Sequence, residues 1–373
     1  MKTVIDKIFL LFLAIVLVIF GTWIYIAPKE AVSERENRAL ANFPKVSIDS
    51  ITNGRFSEGI SAFYRDRFPT REKLMSIKCK IEILCGRKEN NGVVVCDNGY
   101  LCIRPEYSDL DTYLENLSQI ESFCNSSTVD TAVFFAPRSV DVLTHLLPSG
   151  YPTERDNILF DIAQGRGLEV ITANESISSA AARGEYVWFK TDHHWTSGGA
   201  YIAYKSICER FDIAPLGADE LYIESVEGDF YGTVASRFAA EAPASDAVKL
   251  MRYDKDGELF VIDYDTREVS YGFYRYEHAD IKDKYSVFLG GNHGHIGVYR
   301  EGEERARVMV IKDSFANSVI PFLASHYDLE VYDLRYFKGK LSEEIENNSP
   351  DKILILYGID TVATDVSLKY LNR

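Results

Sequence analysis

Hydrophobic and polar positions divide the chain into stretches of different character. From Ile8 to Ala27 it reads IFLLFLAIVLVIFGTWIYIA without one charge. At about 1.5 Å per residue, a helix of this length reaches roughly 30 Å, the hydrocarbon thickness of a bilayer. Lys2 and Lys7 precede it, and Trp23 and Tyr25 stand where an interfacial aromatic belt would lie. The run exceeds the roughly 7–15 residues of a signal-peptide core, and Ile26-Ala27-Pro28 is a poor cleavage site. The pattern therefore predicts an uncleaved single-pass anchor in the plasma membrane. The basic residues place the N-terminus in the cytoplasm and the rest outside.

Residues 29–68 carry charges, Pro44 and few apolar runs, and read as a juxtamembrane linker. Thus 1–28 is read as cytoplasmic stub and anchor, 29–68 as linker, and 69–373 as the folded domain. Leu74, Ile77, Ile81 and Leu84 predict a helix ending at Gly86. Leu110, Tyr113, Leu114, Leu117, Ile120 and Cys124 predict a second. Between them, Asn98-Gly99 predicts a two-residue hairpin turn. Short apolar runs then recur at 132–135, 168–171, 308–311, 329–332 and 353–356, with stretches of helical length between most of them. Such alternation predicts an α/β fold, a mostly parallel sheet with helices on both faces. Residues 213–305 break the rhythm with alternating segments at 258–262 and 269–274, and read as a β-rich insertion. Its many tyrosines suit strand packing first and sugar stacking second.

Composition narrows the function classes. The chain has 373 residues, 46% apolar and 13% aromatic, ample for a large core. Its 41 basic residues against 56 acidic ones give a net charge of −15 with no basic block, which argues against nucleic acid as the partner. Six cysteines are present without a paired CxxC motif, so a structural zinc site is not expected. They read as small buried residues rather than a disulfide framework. In the two-residue turn register, Cys96 and Cys102 point to opposite faces and do not bridge.

Two segments fit the rule that sites form at the carboxyl ends of strands. One is Val187 to Thr196, with a helix from about Ser197 to Phe211; the other is Val308 to Ser318. Ser314, between strand and helix, suits a nucleophile, although the same position suits a helix N-cap. If 192–194 is extended, Asp192 and His194 share a face while His193 turns away. The carboxylate can then fix the imidazole tautomer, leaving the other nitrogen to take a proton. A metal site from His193, His194, His293 and His295 ranks below this, because no fixed ligand frame is present.

Thr191-Asp192-His193-His194-Trp195-Thr196 resembles the signature of the DHHW family of bacterial membrane-anchored proteins, which is similar to the SGNH-hydrolase-like acetyltransferases that modify alginate. The resemblance extends over Glu34 to Arg38, Asp66 to Pro69, Asp97 to Leu101, Ala136 to Arg138 and Asp313 to Phe315. It implies an SGNH-hydrolase-like (flavodoxin-like) fold and a triad of Ser314, His194 and Asp192. Asn292, Arg138 and Asn317 are candidates for substrate or oxyanion contacts; Gly291-Asn292 otherwise reads as a turn and Arg138 as an ion-pair residue. The serine block departs from ordinary SGNH hydrolases, where it stands near the start of the domain. The implied activity is O-acetyl transfer to a cell-envelope polysaccharide, without metal or cofactor, with a membrane O-acyltransferase as acetyl donor. A glycan O-acetyl esterase and a non-catalytic glycan-binding scaffold are the alternatives.

Overall fold

The structure, a computed structural model, describes residues 2–26, 31–33, 35, 36, 38–105, 110–152, 158–302 and 304–373. Ala27, Pro28, Glu34 and Asn37 of the motifs above lie outside the described residues. The chain divides into two compact units, one of residues 1–91 with 236–241, the other of 92–235 with 242–373.

In the first unit, helix α1 (Lys2–Ile26) contains the apolar run, and Val4–Ile24 is long and apolar enough to cross a membrane. The segment read as a linker contains a 13-residue helix, Arg55–Arg67. Two of the quoted motif blocks meet beside it. Arg38 Nη1 and Nη2 each donate to Asp66 at 2.8 Å. The Arg38 hydrogen bonds outweigh burial and hold the Asp66 carboxyl well below the usual range. Helix α2 (Arg71–Leu84) forms where the periodicity places it, but its stripe of Leu74, Ile77, Ile81 and Leu84 is exposed.

The second unit is built on an eight-stranded sheet. Its strands in chain order are β1 (Asp130–Ala136), β2 (Val170–Ile171), β3 (Leu259–Asp263), β4 (Glu268–Tyr271), β5 (His295–Arg300), β6 (Arg307–Lys312), β7 (Asp328–Tyr332) and β8 (Lys352–Gly358). In space they run β4-β3-β5-β7-β6-β8-β1-β2. From β7 to β2 the pairing is parallel, and from β7 outward through β5, β3 and β4 it is antiparallel. The insertion thus supplies three strands that widen the same sheet.

Alternation explains why the parallel strands read as continuous apolar runs. Ala132, Phe134, Val308, Val310, Leu354 and Leu356 enter one core, shared with Asn174–Ala182 and helix α4 (Ser197–Phe211). Val133, Phe135, Met309, Ile311, Ile353 and Ile355 enter the other, under helix α3 (Asp111–Ser126) and Ile359–Thr364. Both faces are covered, so neither shows a polar period.

The hairpin before α3 corrects the sequence register. Asp97-Asn98-Gly99 form a three-residue loop, Cys96 N donates to Tyr100 O at 2.9 Å, and Val94 rather than Val95 lies opposite Cys102. Asn98 and Gly99 both have positive φ, which lengthens the turn by one residue. That slip moves the two sulfurs from opposite faces to the same face. Cys96 and Cys102 are buried in one core, and the Cys102 contact together with burial pushes the Cys96 thiol far above its ordinary range.

Candidate active site

Strand β6 ends at Lys312, and the chain turns into a short 3-10 helix, Ser314–Ser318. Asp313 caps this turn, accepting from Phe315 N at 2.9 Å through Oδ1 and from Gly358 N at 2.8 Å through Oδ2. The cap predicted for Ser314 therefore belongs to its neighbour, and Ser314 Oγ is released from that task. It lies 2.8 Å from His194 Nε2.

His194 comes from a loop, not from the sheet strand that the sequence predicts. Val187 to Thr196 folds back on itself through a single bridge between Trp188 and Trp195. Trp195 then ties the loop to the serine turn, its Nε1 donating to Phe315 O at 3.1 Å and Ser318 Oγ at 2.9 Å. This indole fixes the spacing between histidine and serine. Immediately afterwards α4 begins, with the predicted boundaries.

Asp192, 1% exposed, is saturated with donors. Its Oδ1 accepts from His194 Nδ1 at 2.6 Å and from His194 N at 3.1 Å. Its Oδ2 accepts from Thr233 N at 2.7 Å and Thr233 Oγ1 at 2.9 Å. A Cβ at Gly232 would stand 2.3 Å from Oδ2, so only glycine lets the Thr233 backbone approach this closely. Burial opposes the Asp192 charge, but His193, His194 and the hydrogen bonds prevail and hold the carboxyl well below the usual range.

His193 does not turn away. In the tight loop its ring centroid lies 3.8 Å from that of His194, and its Nδ1 lies 2.6 Å from Thr233 Oγ1. Neighbouring residues of a loop lack the alternation of a strand, which is why that expectation fails. Burial and the adjacent His194 lower the His193 pKa to about 4, although a side chain 34% exposed recovers part of its hydration.

Three further residues shape the site, and none carries a recognisable signal in the sequence. Asp246, 3% exposed, accepts from Lys190 N at 2.6 Å, Thr191 N at 2.8 Å, Thr191 Oγ1 at 2.5 Å and Tyr186 Oη at 2.5 Å. It holds the turn that leads into Asp192. Tyr285 stacks on His194 with centroids 3.9 Å apart and planes 4° from parallel. Its Oη donates to Ser314 O at 3.0 Å and lies 3.1 Å from Ser318 Oγ. Thr233 is the third. All three lie in the β-rich insertion.

The remaining candidates have other immediate partners. Lys312, 1% exposed, donates to Asn292 Oδ1 at 3.0 Å and Asn317 Oδ1 at 2.8 Å. Burial lowers its pKa to about 8 despite Asp333 nearby. Asn317 Nδ2 donates to Gly291 O at 3.2 Å, closing the Gly291-Asn292 turn against the serine turn. An ammonium can only donate, so Asn292 must turn its oxygen inward and keep its amino end outward. Arg138 is buried, with Nε 3.3 Å from Asp141 and 3.5 Å from Asp360, so it neutralises the chain's own carboxylates. His293 and His295 pair separately with Asp263 at 2.9 Å and Glu330 at 2.8 Å. Asp192, His193 and His194 offer ligand atoms within 4.8 Å of one another, but a cation there would displace their bonds to Thr233 and Ser314.

The comparisons with known proteins agree with this picture at the level of family and fold. The family model described as DHHW protein matches residues 166–333. A crystal structure of a DHHW family protein from Eubacterium siraeum is similar with a TM-score of 0.62 and 22% identity, over 75% of this chain and 96% of that one. Bacillus cereus PatB1, solved with a sulfonyl adduct, gives 0.61 and 18%, over 75% and 98%. The O-acetyltransferase domain of Pseudomonas putida AlgJ is a looser likeness, at 0.47 and 16%, over 75% and 98%. Among curated proteins none matches significantly. The stretch from 166 to 333, which holds Asp192, His194 and Ser314, thus matches the DHHW protein family model, as the resemblance of its Asp192-His193-His194-Trp195 signature implies.

Proposed function

We propose that the chain is a membrane-anchored, extracytoplasmic O-acetyltransferase acting on a cell-envelope polysaccharide through an acyl-serine. The observation that carries this reading is the relay Asp192–His194–Ser314, with contacts of 2.6 and 2.8 Å. Ser314 Oγ attacks the acyl carbonyl and its proton passes to His194 Nε2, while Asp192 holds Nδ1–H in place. The protonated His194 then returns the proton to the leaving oxygen of the donor. In the second half, a sugar hydroxyl gives its proton to His194 and attacks the acyl carbonyl, and the departing Ser314 Oγ takes that proton back from His194. Asn292 Nδ2, facing away from Lys312, is the side-chain donor proposed for the oxyanion. The apolar helix α1 is the proposed anchor, with the N-terminus inside and a membrane O-acyltransferase as the source of acetyl groups.

The test uses full-length protein in detergent with an acetyl ester and an oligosaccharide acceptor. Wild type should form an acetyl-Ser314 adduct visible by mass spectrometry, then pass the acetyl group to the glycan. Ser314→Ala should abolish both. An unlabelled Ser314 with turnover intact would sink the proposal, and acetate release without glycan labelling would reassign the enzyme as an esterase.

A further inference from the structure

A cavity of about 730 Å³ opens between Asn174–Ala182, the ends of the loop that carries His194, the first half of α4 and the two-stranded ribbon of Leu221–Ser225 and Lys249–Tyr253. Its wall contains the first turn of α4. That turn begins Ser197-Gly198-Gly199, and its first N–H groups have no acceptor within the helix. Thr196 stands at the N-cap position but makes no cap, because its hydroxyl donates to Tyr186 O at 2.6 Å. The glycines are dictated by packing, since a Cβ at Gly199 would meet Val187 O at 2.3 Å. The result is a 15-residue helix whose positive end is uncapped by any side chain.

Ser197 supplies an independent observation. It lines the cavity, is 3% exposed, and its Oγ has no hydrogen-bond partner among the described residues. A hydroxyl kept dry and unpartnered is unfavourable unless something else completes it. Around the same cavity, Tyr201 and Lys205 follow Ser197 and Gly198 at helical spacing, and Lys249 faces them from the ribbon. Of the other charges there, Arg183 is paired with Glu185 at 2.7 Å, leaving Glu175 as the remaining carboxylate. Two lysines and a helix N-terminus converge in a chain whose net charge is −15. An anion is the ligand that satisfies all three features.

We propose that this cavity is a binding site for an oxyanion group carried on a sugar unit, with the α4 N-terminus facing the anion, Ser197 Oγ turning out from behind the wall to donate to it, and Lys205 and Lys249 neutralising it. That the carrier is a sugar rests on the glycan reading above; the anion itself does not. The cavity also touches the site's scaffold. Tyr186 lies on its wall and donates to Asp246, which holds the turn before Asp192. An acceptor polymer bearing such groups would therefore be gripped beside the reacting centre rather than within it.

The experiment measures binding without turnover, so it fails separately from the catalytic proposal. Full-length protein in detergent is titrated calorimetrically with inorganic phosphate, glucose 1-phosphate, glucuronate and, as the neutral control, glucose. Phosphate and at least one anionic sugar should bind with sub-millimolar to millimolar Kd, and glucose should not. Tighter glucose 1-phosphate points to a phosphate-bearing polymer, and tighter glucuronate to a uronate polymer. The Lys205→Glu, Lys249→Glu double variant should weaken binding at least tenfold while hydrolysis of a small acetyl ester stays at the wild-type rate. Ser197→Ala should weaken binding about three- to tenfold without lowering the thermal midpoint, because its hydroxyl has no internal bond to lose. Binding of no anion at 20 mM, binding unchanged by charge reversal, or anionic sugars no better than glucose would overturn the site.

Discussion

Tyr285 offers the sharpest check on how the histidine is held. Its ring lies face to face with His194 at 3.9 Å, while its Oη bonds the carbonyl of the serine residue. Two substitutions separate these contacts. Tyr285→Phe keeps the stacked ring and loses the hydroxyl; Tyr285→Leu loses the ring as well. In the proposed mechanism His194 carries a positive charge while it holds the serine proton, so an aromatic face would stabilise the transition state more than the ground state. Such a contact is worth about 0.5–2 kcal/mol, or about 2- to 30-fold in rate at 1.36 kcal/mol per decade. The Leu variant should therefore lose about that factor in kcat with KM little changed. The Phe variant leaves the Ser314 carbonyl without this donor, which costs about 0.5–1.5 kcal/mol of stability but should leave kcat within about threefold. Steady-state hydrolysis of p-nitrophenyl acetate, with thermal melts on the same samples, reads both quantities. Equal kcat losses in Phe and Leu, or a Leu variant with wild-type kcat, would refute the stacking argument.

The relay makes further demands. Ser314→Ala and His194→Ala should each reduce ester turnover to near background, and the double variant should fall no further, because the pair acts as a unit; additive losses in the same assay would count against a shared step. Asp192 and Asp66 both have carboxyls held below the unfolded value of about 3.9, so the unfolded state binds more protons in acid. Their stabilisation is fully present above roughly pH 5 and is lost as pH falls below about 4. The urea midpoint should drop over that range, and Asp192→Asn should flatten the drop. Asp246→Asn puts an amide NH2 in place of one oxygen, so it faces a group that is itself a donor, either Lys190 N or Thr191 N. One or two buried bonds lost, at about 1–3 kcal/mol each, should lower the melting midpoint by several degrees. It should also cut kcat by tenfold or more, and an Asp246→Asn protein with wild-type kcat would show that the turn needs no such anchor.

Much of the sheet was legible because its parallel strands are buried on both faces. Runs such as Ala132 to Phe135 and Ile353 to Leu356 have no solvent side, so length and β-branching identify them without alternation. The helix at Ser197–Phe211 was equally plain, being set by glycines at its start and an apolar face along it. The hairpin at Cys96 was misread by one residue, since Asn-Gly serves both two-residue loops and three-residue loops with left-handed positions. That single residue decided which face each sulfur takes.

What the sequence could not show is how a loop outside the sheet acquires the precision of a strand. Asp192 and His194 are neighbours in a tight turn, and a turn alone would leave the imidazole free to rotate. Their orientation comes from residues far along the chain, in the insertion: Gly232 and Thr233 clamp the carboxylate, Asp246 pins the preceding turn, and Tyr285 covers the imidazole. Each belongs to a segment whose own strands advertise only alternation. A lone Asp among 56 acidic residues or a Tyr among 23 carries no mark of its task until pairing brings it to the loop. The signature tetrapeptide therefore marks Asp192 and His194 of the proposed relay but not the residues that align them, and its Trp195 is the exception. By bonding both Phe315 O and Ser318 Oγ, that indole couples the histidine loop directly to the serine turn. The motif thus carries its own spacing between His194 and Ser314, and the insertion supplies the orientation. A variant of this chain with a shortened insertion would then keep the His194–Ser314 approach through Trp195 and lose the bonds that align Asp192 and His194.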